Sequence, residues 1–521
     1  MHSSMWDVQA HRMSCIALGS GVGWNASRDL PALDPEYDAG NTTGSGVPHG
    51  YERLSIYDGA HPEDNYHHWF SHEMPGHTAE EGWPTLNYNG WEGAPYAFDE
   101  HLHPTAWVGQ QAVDYISSVK TDAKWFLKVS FHRPHSPYDP PARVLNSTRA
   151  SDLPEVMLAL DGWDHVFRGG PTDPPGCGPS DKSAWCGLMP AVGQELGRRA
   201  YYANVAFIDE YVGKILAALT SRKLLENTLI IWTADHGDGQ ADHYHWRKGF
   251  PYQFSSNVPL LMRWPEAFGP TATPRGTVIS ELVTELRDVF PTMLDAAGGL
   301  GAMPPGHELT GTSLLCLLQD SSGATCDHTT PGELPTAAGT TPGAAGKRIK
   351  GWRPWLDLEH STQYNNTNHW SALTDGKMKY IFNACDNCGA VLPREQLFNL
   401  TADDGERVDL HADAEYDAEL AKWRGRMVAQ FEAEGRGSEW VQGGVLQLRP
   451  PQLYGPNYPR SEPPSPPPHP PGLSECWNDT VAAGDGVDLQ PTQGRTKNPK
   501  ICQVCLLLSH STLQRVCCCV A

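Results

Sequence analysis

The stretch T-A-D-H-G-D-G-Q-A-D-H-Y-H-W-R-K, Thr233–Lys248, follows the apolar run L-I-I-W of Leu229–Trp232. A short continuous apolar run that ends in a polar turn reads as a buried strand. Just upstream, Tyr201, Val205, Ile208, Val212, Ile215 and Leu219 recur at three- and four-residue spacing, which predicts a helix. Upstream again, Val108, Ala112, Tyr115, Ile116 and Val119 predict another helix, with Thr105 as its expected cap. W-F-L-K-V-S-F, Trp125–Phe131, then reads as a second buried strand. Helix, strand, helix, strand with near-continuous apolar strands predicts an α/β fold, a mostly parallel sheet between helices. Ligands of such sheets sit beyond the carboxyl ends of the strands. Both polar clusters of the chain, H-R-P-H and A-D-H-G-D, fall there.

Each cluster has a chemical and a bland reading. Asp235 and His236 offer a hard oxygen and an imidazole nitrogen, which suits a divalent cation; D-H-G-D also suits a polar turn with an Asp helix cap. In F-H-R-P-H-S-P-Y-D-P-P, Phe131–Pro141, prolines flank His135 and stiffen the chain around it. That holds an imidazole at a set angle for proton donation or anion contact, or it simply makes a rigid surface loop.

At 521 residues the chain accommodates one large α/β domain and smaller pieces. Lys+Arg 39 against Asp+Glu 61 gives a formal charge of −22, which argues against nucleic acid or an anionic membrane as partner. No apolar run approaches the roughly 20 residues of a membrane span. The start, M-H-S-S-M-W-D-V-Q, lacks the basic-then-apolar profile of a signal peptide. Six N-x-S/T sequons (Asn25, Asn41, Asn146, Asn365, Asn399, Asn478) and the close pairs Cys177/Cys186 and Cys385/Cys388 nevertheless point to the secretory pathway, outside the cell or in a lysosome-like compartment.

The ordering of motifs resembles the sulfatase family. A-D-H-G-D, then H-x-H-W-R-K-G, then N-V-P-L-L-M-R-W-P (Asn257–Pro265) look like its segments, as do H-R-P-H-S-P, T-E-L-R-D-V-F-P-T-M-L-D-A-A-G (Thr284–Gly298) and L-T-G-T-S-L-L (Leu309–Leu315). W-S-A-L-T-D-G-K-M-K-Y-I-F with E-Q-L-F-N-L (Trp370–Leu400) is similar to the family's C-terminal subdomain, and the likeness runs over residues 47–447. The D-H pair and its spacing to Lys248 are nearest to the iduronate-sulfatase-like and bacterial arylsulfatase branches. The resemblance implies an alkaline-phosphatase-like domain with one bound calcium, magnesium being the second choice. By motif, Asp235 and His236 are expected metal ligands, Lys248 the contact to sulfate and leaving oxygen, and His135 a sulfate ligand or proton donor. His243 and His245 lie on the same loop and receive no role.

Two family elements do not occur in the sequence: a paired-Asp motif on the first strand, and the C/S-x-P-x-R segment whose Cys or Ser becomes formylglycine. Cys15 is followed by I-A-L-G. G-K-x-H is also missing as such, with Met1-His2 as its expected remnant and His2 as a pocket candidate. The expectation is a sulfatase shortened at its N-terminus, able to hold a sulfate but not to form the covalent intermediate. The expected substrate is a small sulfate ester, whether aryl, carbohydrate or choline sulfate. Rivals are a phosphodiesterase or phosphonate hydrolase of the same superfamily, and a non-catalytic binder of sulfated glycans.

The expected domains are a catalytic domain over 1–320, a Gly/Ala/Thr/Pro-rich insertion over 321–347, and a C-terminal subdomain over 348–447. That subdomain should be a small antiparallel sheet packed on a helix carrying Leu420, Trp423, Met427 and Phe431. A proline-rich linker (448–475) and a Cys-containing, unstructured tail (476–521) complete the chain; C-x-x-C plus a Cys triplet is too little for a zinc site.

Overall fold

The computed structural model describes residues 14–19, 53–57, 64–169, 177–300, 309, 311–329, 348–361, 369–384, 392–449 and 515–520. His2, Cys385, Cys388 and the proline-rich segment 451–475 lie outside the described residues. Five strands in chain order build most of the main sheet: β1 Ser14–Gly19, β2 Arg53–Ile56, β3 Trp125–Ser130, β4 Leu229–Thr233 and β5 Leu260–Arg263. β2, β1 and β3 lie side by side in parallel, and β5 closes the far edge antiparallel to β4. Between β3 and β4 runs the strand Arg515–Val520, parallel to both. β1 and β2 come from residues 1–90, where runs of four to six residues are too short to set a periodicity. One departure from expectation stands here. The tail, expected to be unstructured, supplies a central strand over 515–520.

Three helices matter for the site: α1 Asn65–Glu73, α2 Pro104–Ser118 and the long α3 Ala191–Ser221. In α2 the cap is His103, not Thr105. Its ring accepts a hydrogen bond from the Thr105 N–H, and Pro104 occupies the first helical position, where its missing N–H costs nothing. Ala106, Val108, Ala112 and Ile116 of α2 meet Ala203, Phe207, Ile208 and Ile215 of α3 in one buried cluster with Trp125, Leu127 and Val129 of β3. Most of the expected stripe positions face the core, but Val205 of α3 is exposed.

The smaller subdomain is an antiparallel sheet of β6 Leu356–Ser361, β7 His369–Thr374, β8 Met378–Asn383 and β9 Glu395–Asn399, ordered β9-β8-β7-β6. The Asp375–Gly376 turn between β7 and β8 places Gly376 at φ 81°, in the left-handed region. Helix α5 Asp417–Ala433 follows a short α4, Val289–Ala296. It buries Leu420, Trp423, Met427 and Phe431 against Leu373, Tyr380, Phe382 and Leu397, as the spacing predicts. The base of the 321–347 insertion is ordered: Cys316 and Cys326 form a disulfide, and Asp327–Thr329 pairs with Arg348–Lys350. Lys379 and Glu406 form a wholly buried ion pair at 2.7 Å beside the Gln253–Ser256 helix, tying the subdomain to the main domain.

Candidate active site

The loop from Asp235 to Lys248 is held by its own second aspartate. Asp238 Oδ1 accepts hydrogen bonds from the Gln240 and Arg247 backbone N–H groups and from the Gln240 amide, while Oδ2 accepts from the Tyr138 hydroxyl at 3.0 Å. This clamp closes the loop and sets where Lys248 emerges. The backbone is strained here: Gln240, Ala241, His243, Tyr244 and Arg247 all have positive φ without being glycine. Such conformations persist only where surrounding bonds fix them, and they gather at functional sites. Gly237 is needed for another reason, since a Cβ there would lie 1.9 Å from the Phe254 carbonyl oxygen.

At the start of the loop, Asp235 Oδ1 accepts from the His236 backbone N–H. His236 donates Nδ1–H to the Gly237 carbonyl at 2.8 Å, which leaves the Nε2 lone pair available to a metal. The Asp235 side chain is 45% exposed and that of His236 33%, so both can reach a ligand. These donors fit a divalent cation in kind. They do not fit in number: calcium takes roughly six to eight oxygen-rich ligands, and among the described residues no group of three or more His, Cys, Asp or Glu could hold one.

The second motif closes the pocket from β3. Arg133 and Asp139, both fully buried, form a bidentate pair at 2.6 and 2.8 Å. Burial pushes the Asp139 carboxyl up, but Arg133 and His103 outweigh it and hold the carboxyl well below the usual range. His135 donates Nδ1–H to the Ser136 carbonyl at 2.7 Å and so presents Nε2. Burial pushes its pKa well below the usual value, and the charges of Lys248 and His236 push it further. His132 lies 4.8 Å away, ring to ring, and is depressed by burial and by His135, Arg133 and Lys248. Burial also lowers Lys248, which Asp238 and Asp235 partly offset.

Lys248 and His236 act electrostatically on His135, and Asp235 acts on Lys248, which puts the four expected residues in one neighbourhood. His243 and His245 do not join them. His243 bridges Asp164 and the Gly405 carbonyl, on the side facing the smaller subdomain. His245 is enclosed by Phe167, Phe250 and Phe254 and is driven to a pKa of about 3 by burial, then by His243. Sequence reasoning missed Asp238, Tyr138, His132 and Tyr88. Asp238 left a signal as the last letter of D-H-G-D, and His132 and Tyr138 lie within F-H-R-P-H-S-P-Y; Tyr88 left none.

Asp242 lines a crevice of about 120 Å³ with Met157, His243, Gln253, Phe254, Asp404 and Glu406. Burial raises its carboxyl to about 6, against the opposing hydrogen bond from the Met157 N–H. A carboxyl raised in the folded state binds its proton more tightly there than in the unfolded chain. Its cost therefore appears as pH rises from near 4 through 6. Asp242→Asn keeps the acceptor for Met157 and removes the charge. It should stabilise the fold by about 3 kcal/mol at pH 8 and by well under 1 kcal/mol at pH 4; thermal melts at both pH values check this.

Residues 48–300 match the family model described as Sulfatase. The chain is 29% identical over 385 residues to an arylsulfatase of Clostridium perfringens, covering 74% of this chain and 68% of that protein. It is 34% identical over 215 residues to arylsulfatase K of Mus musculus, covering 41% of this chain and 32% of the mouse protein. The chain thus spans about a third of the mouse relative. Among solved structures, a phosphonate monoester hydrolase of Agrobacterium radiobacter superposes with a TM-score of 0.56 at 21% identity, covering 81% of this chain and 78% of that one. That likeness carries the α/β architecture with its antiparallel C-terminal sheet. On the motif order and these matches, residues 48–300 carry a sulfatase-family domain.

Proposed function

We propose that this chain carries the sulfate-ester site of a sulfuric ester hydrolase, acting on an aryl or carbohydrate sulfate. The observation behind the reading is the meeting of Lys248, His135, His236 and Asp235 at the carboxyl ends of β3 and β4, in a protein of charge −22. A lysine side chain placed here, in a chain of net negative charge, suits an anionic ligand. Lys248 neutralises the sulfuryl oxygens and the charge that develops on the leaving oxygen. His135, its Nδ1–H bound to Ser136, presents the Nε2 lone pair, which must first take up a proton before passing it to the departing alkoxide. Asp235 and His236 are the proposed share of a cation site, with calcium preferred over magnesium. Such a cation, when bound, adds positive charge at the sulfuryl group.

The nucleophile is a separate matter, since no C/S-x-P-x-R occurs in the 521 residues. That favours a second reading, a binder of sulfated glycans that does not turn them over. We also place the protein in the secretory pathway, on the Cys177–Cys186 and Cys316–Cys326 disulfides and the exposed sequon at Asn146. Among the described residues no helix is long and apolar enough to cross a membrane.

Calorimetry on the full chain tests the site. 4-Nitrocatechol sulfate should bind more tightly than 4-nitrophenyl phosphate, and calcium should bind only weakly, with Kd in the range of about 10⁻⁴ M or above. Tighter binding of the phosphate would move the reading to the phosphonate or phosphodiester hydrolases. Submicromolar calcium affinity would mean that the cation site lies elsewhere.

A further inference from the structure

Residues 177–187 form a closed loop beside the stretch of chain that leads to Lys248. Cys177 and Cys186 are joined by a disulfide over a sequence separation of 9, and the Gly178 N–H donates to the Cys186 carbonyl at 2.7 Å. Gly187 completes the closure: its φ is 131°, and a Cβ there would lie 2.5 Å from the Gly178 nitrogen. A cross-link over so short a span limits the conformations open to the loop.

One side of this loop holds the catalytic-loop backbone. The Gly187 N–H donates to the Tyr244 carbonyl and the Trp246 N–H to the Trp185 carbonyl, both at 2.8 Å, with Cys186 and His245 paired as in an antiparallel ladder. The Arg247 guanidinium adds a bond to the Ser183 carbonyl at 2.7 Å. Tyr244 and Arg247 are among the residues held at positive φ, so these bonds oppose relaxation of the backbone. Lys248 is the next residue.

The other side holds the segment that flanks His135. The Trp91 indole N–H donates to the Asp181 carbonyl and the Lys182 amine to the Thr85 carbonyl, each at 3.1 Å. Between those two residues, Tyr88 lies with its ring centroid 5.5 Å from that of His135, and its carbonyl accepts from the Ser136 hydroxyl. The Asp181 side chain shapes the bridge between the two sides. Its Oδ1 accepts from the Ser183 backbone N–H at 2.8 Å and from the Ser183 hydroxyl at 2.7 Å. That turn directs the Asp181 carbonyl to Trp91 and the Ser183 carbonyl to Arg247.

We propose that the disulfide-closed loop 177–187 is a positioning device for the sulfate-ester site, with Asp181 as a positioning residue that acts through Lys248 by bracing its backbone against the His135 flank. This rests on the sulfate-ester reading above. It gives the Cys177–Cys186 bridge a purpose in ligand binding, and it assigns a role to an exposed residue outside both motifs.

The test is calorimetric titration of the full chain and its variants with 4-nitrocatechol sulfate. Asp181→Ala opens the turn on the protein surface, and affinity should fall about three- to tenfold while the melting temperature stays within a degree or two. Loss of a negative charge would by itself favour an anion, so a fall reports the turn and not the charge. Asp181→Asn keeps the acceptor for Ser183 and should restore native affinity. In a Lys248→Ala background, Asp181→Ala should cost less than about twofold, because residues that act through one another are not additive. Replacing Cys177 and Cys186 together by serine should weaken binding about tenfold; where that variant fails to fold, the Asp181 series decides alone. Undiminished binding by Asp181→Ala, or the same loss with Lys248 already alanine, overturns the inference and leaves the sulfate-ester reading standing. Absence of any binding by the native chain overturns the sulfate-ester reading and the inference with it.

Discussion

Replacing Lys248 by alanine should weaken binding of an aryl sulfate by about 10- to 100-fold, the scale of a lost hydrogen bond to a charged group. In any form of the protein able to turn the ester over, the rate should fall by about 10²–10³, because the group acts where charge develops. The size of the effect follows from the surroundings. Burial lowers the pKa of the amine, and the charges of Asp238 and Asp235 partly offset that. Among the described residues no neighbouring cation is free to stand in for it. Arg133 is committed to Asp139, and Arg247 donates to the Ser183 carbonyl from a backbone position locked by Asp238. Lys248→Arg should recover only part of the loss, since a planar fork does not replace a compact ammonium. Equal affinity of native and Lys248→Ala protein would remove Lys248 from the site.

The largest effect on stability is expected at Arg133. Removing one partner of a buried ion pair leaves the other charge uncompensated and costs about 3–5 kcal/mol. In Arg133→Leu, Asp139 would keep only His103 at 3.4 Å, and the Tyr57 and His132 contacts would be lost as well. A fall in melting temperature on the order of 10 °C is predicted. Adding Asp139→Asn to Arg133→Leu should restore about half of it, because the stranded charge goes. A single variant that melts within 2 °C of the native protein would show that the pair is not buried in solution.

These two residues also show how far the sequence could be read. Lys248 was legible because its neighbours form an ordered string: apolar strand, D-H, a fixed interval, then Lys. The helices α2, α3 and α5 were legible because their buried stripes repeat at helical spacing. Arg133 was not. In H-R-P-H it reads as one more cation of a polar loop, and its true partner, Asp139, is identified only when the chain folds back over the intervening prolines. Tyr88 was invisible for a similar reason. It lies 44 residues from His132 in a segment with no periodicity, and only tertiary contact joins them. The strand Arg515–Val520 was missed because V-C-C-C-V after a long polar tail carries no strand-like alternation. A chain end that pairs within the sheet gives no local warning. The His103 cap was lost to a habit of composition, since histidine is not among the residues that usually cap helices.

The most direct test is a crystal structure of the full chain with 4-nitrocatechol sulfate bound. The account predicts a sulfuryl group between Lys248 Nζ and His135 Nε2, within hydrogen-bond reach of both, with Asp235 and His236 on its other side. A sulfate ester found elsewhere, with Lys248 and His135 untouched, would contradict it.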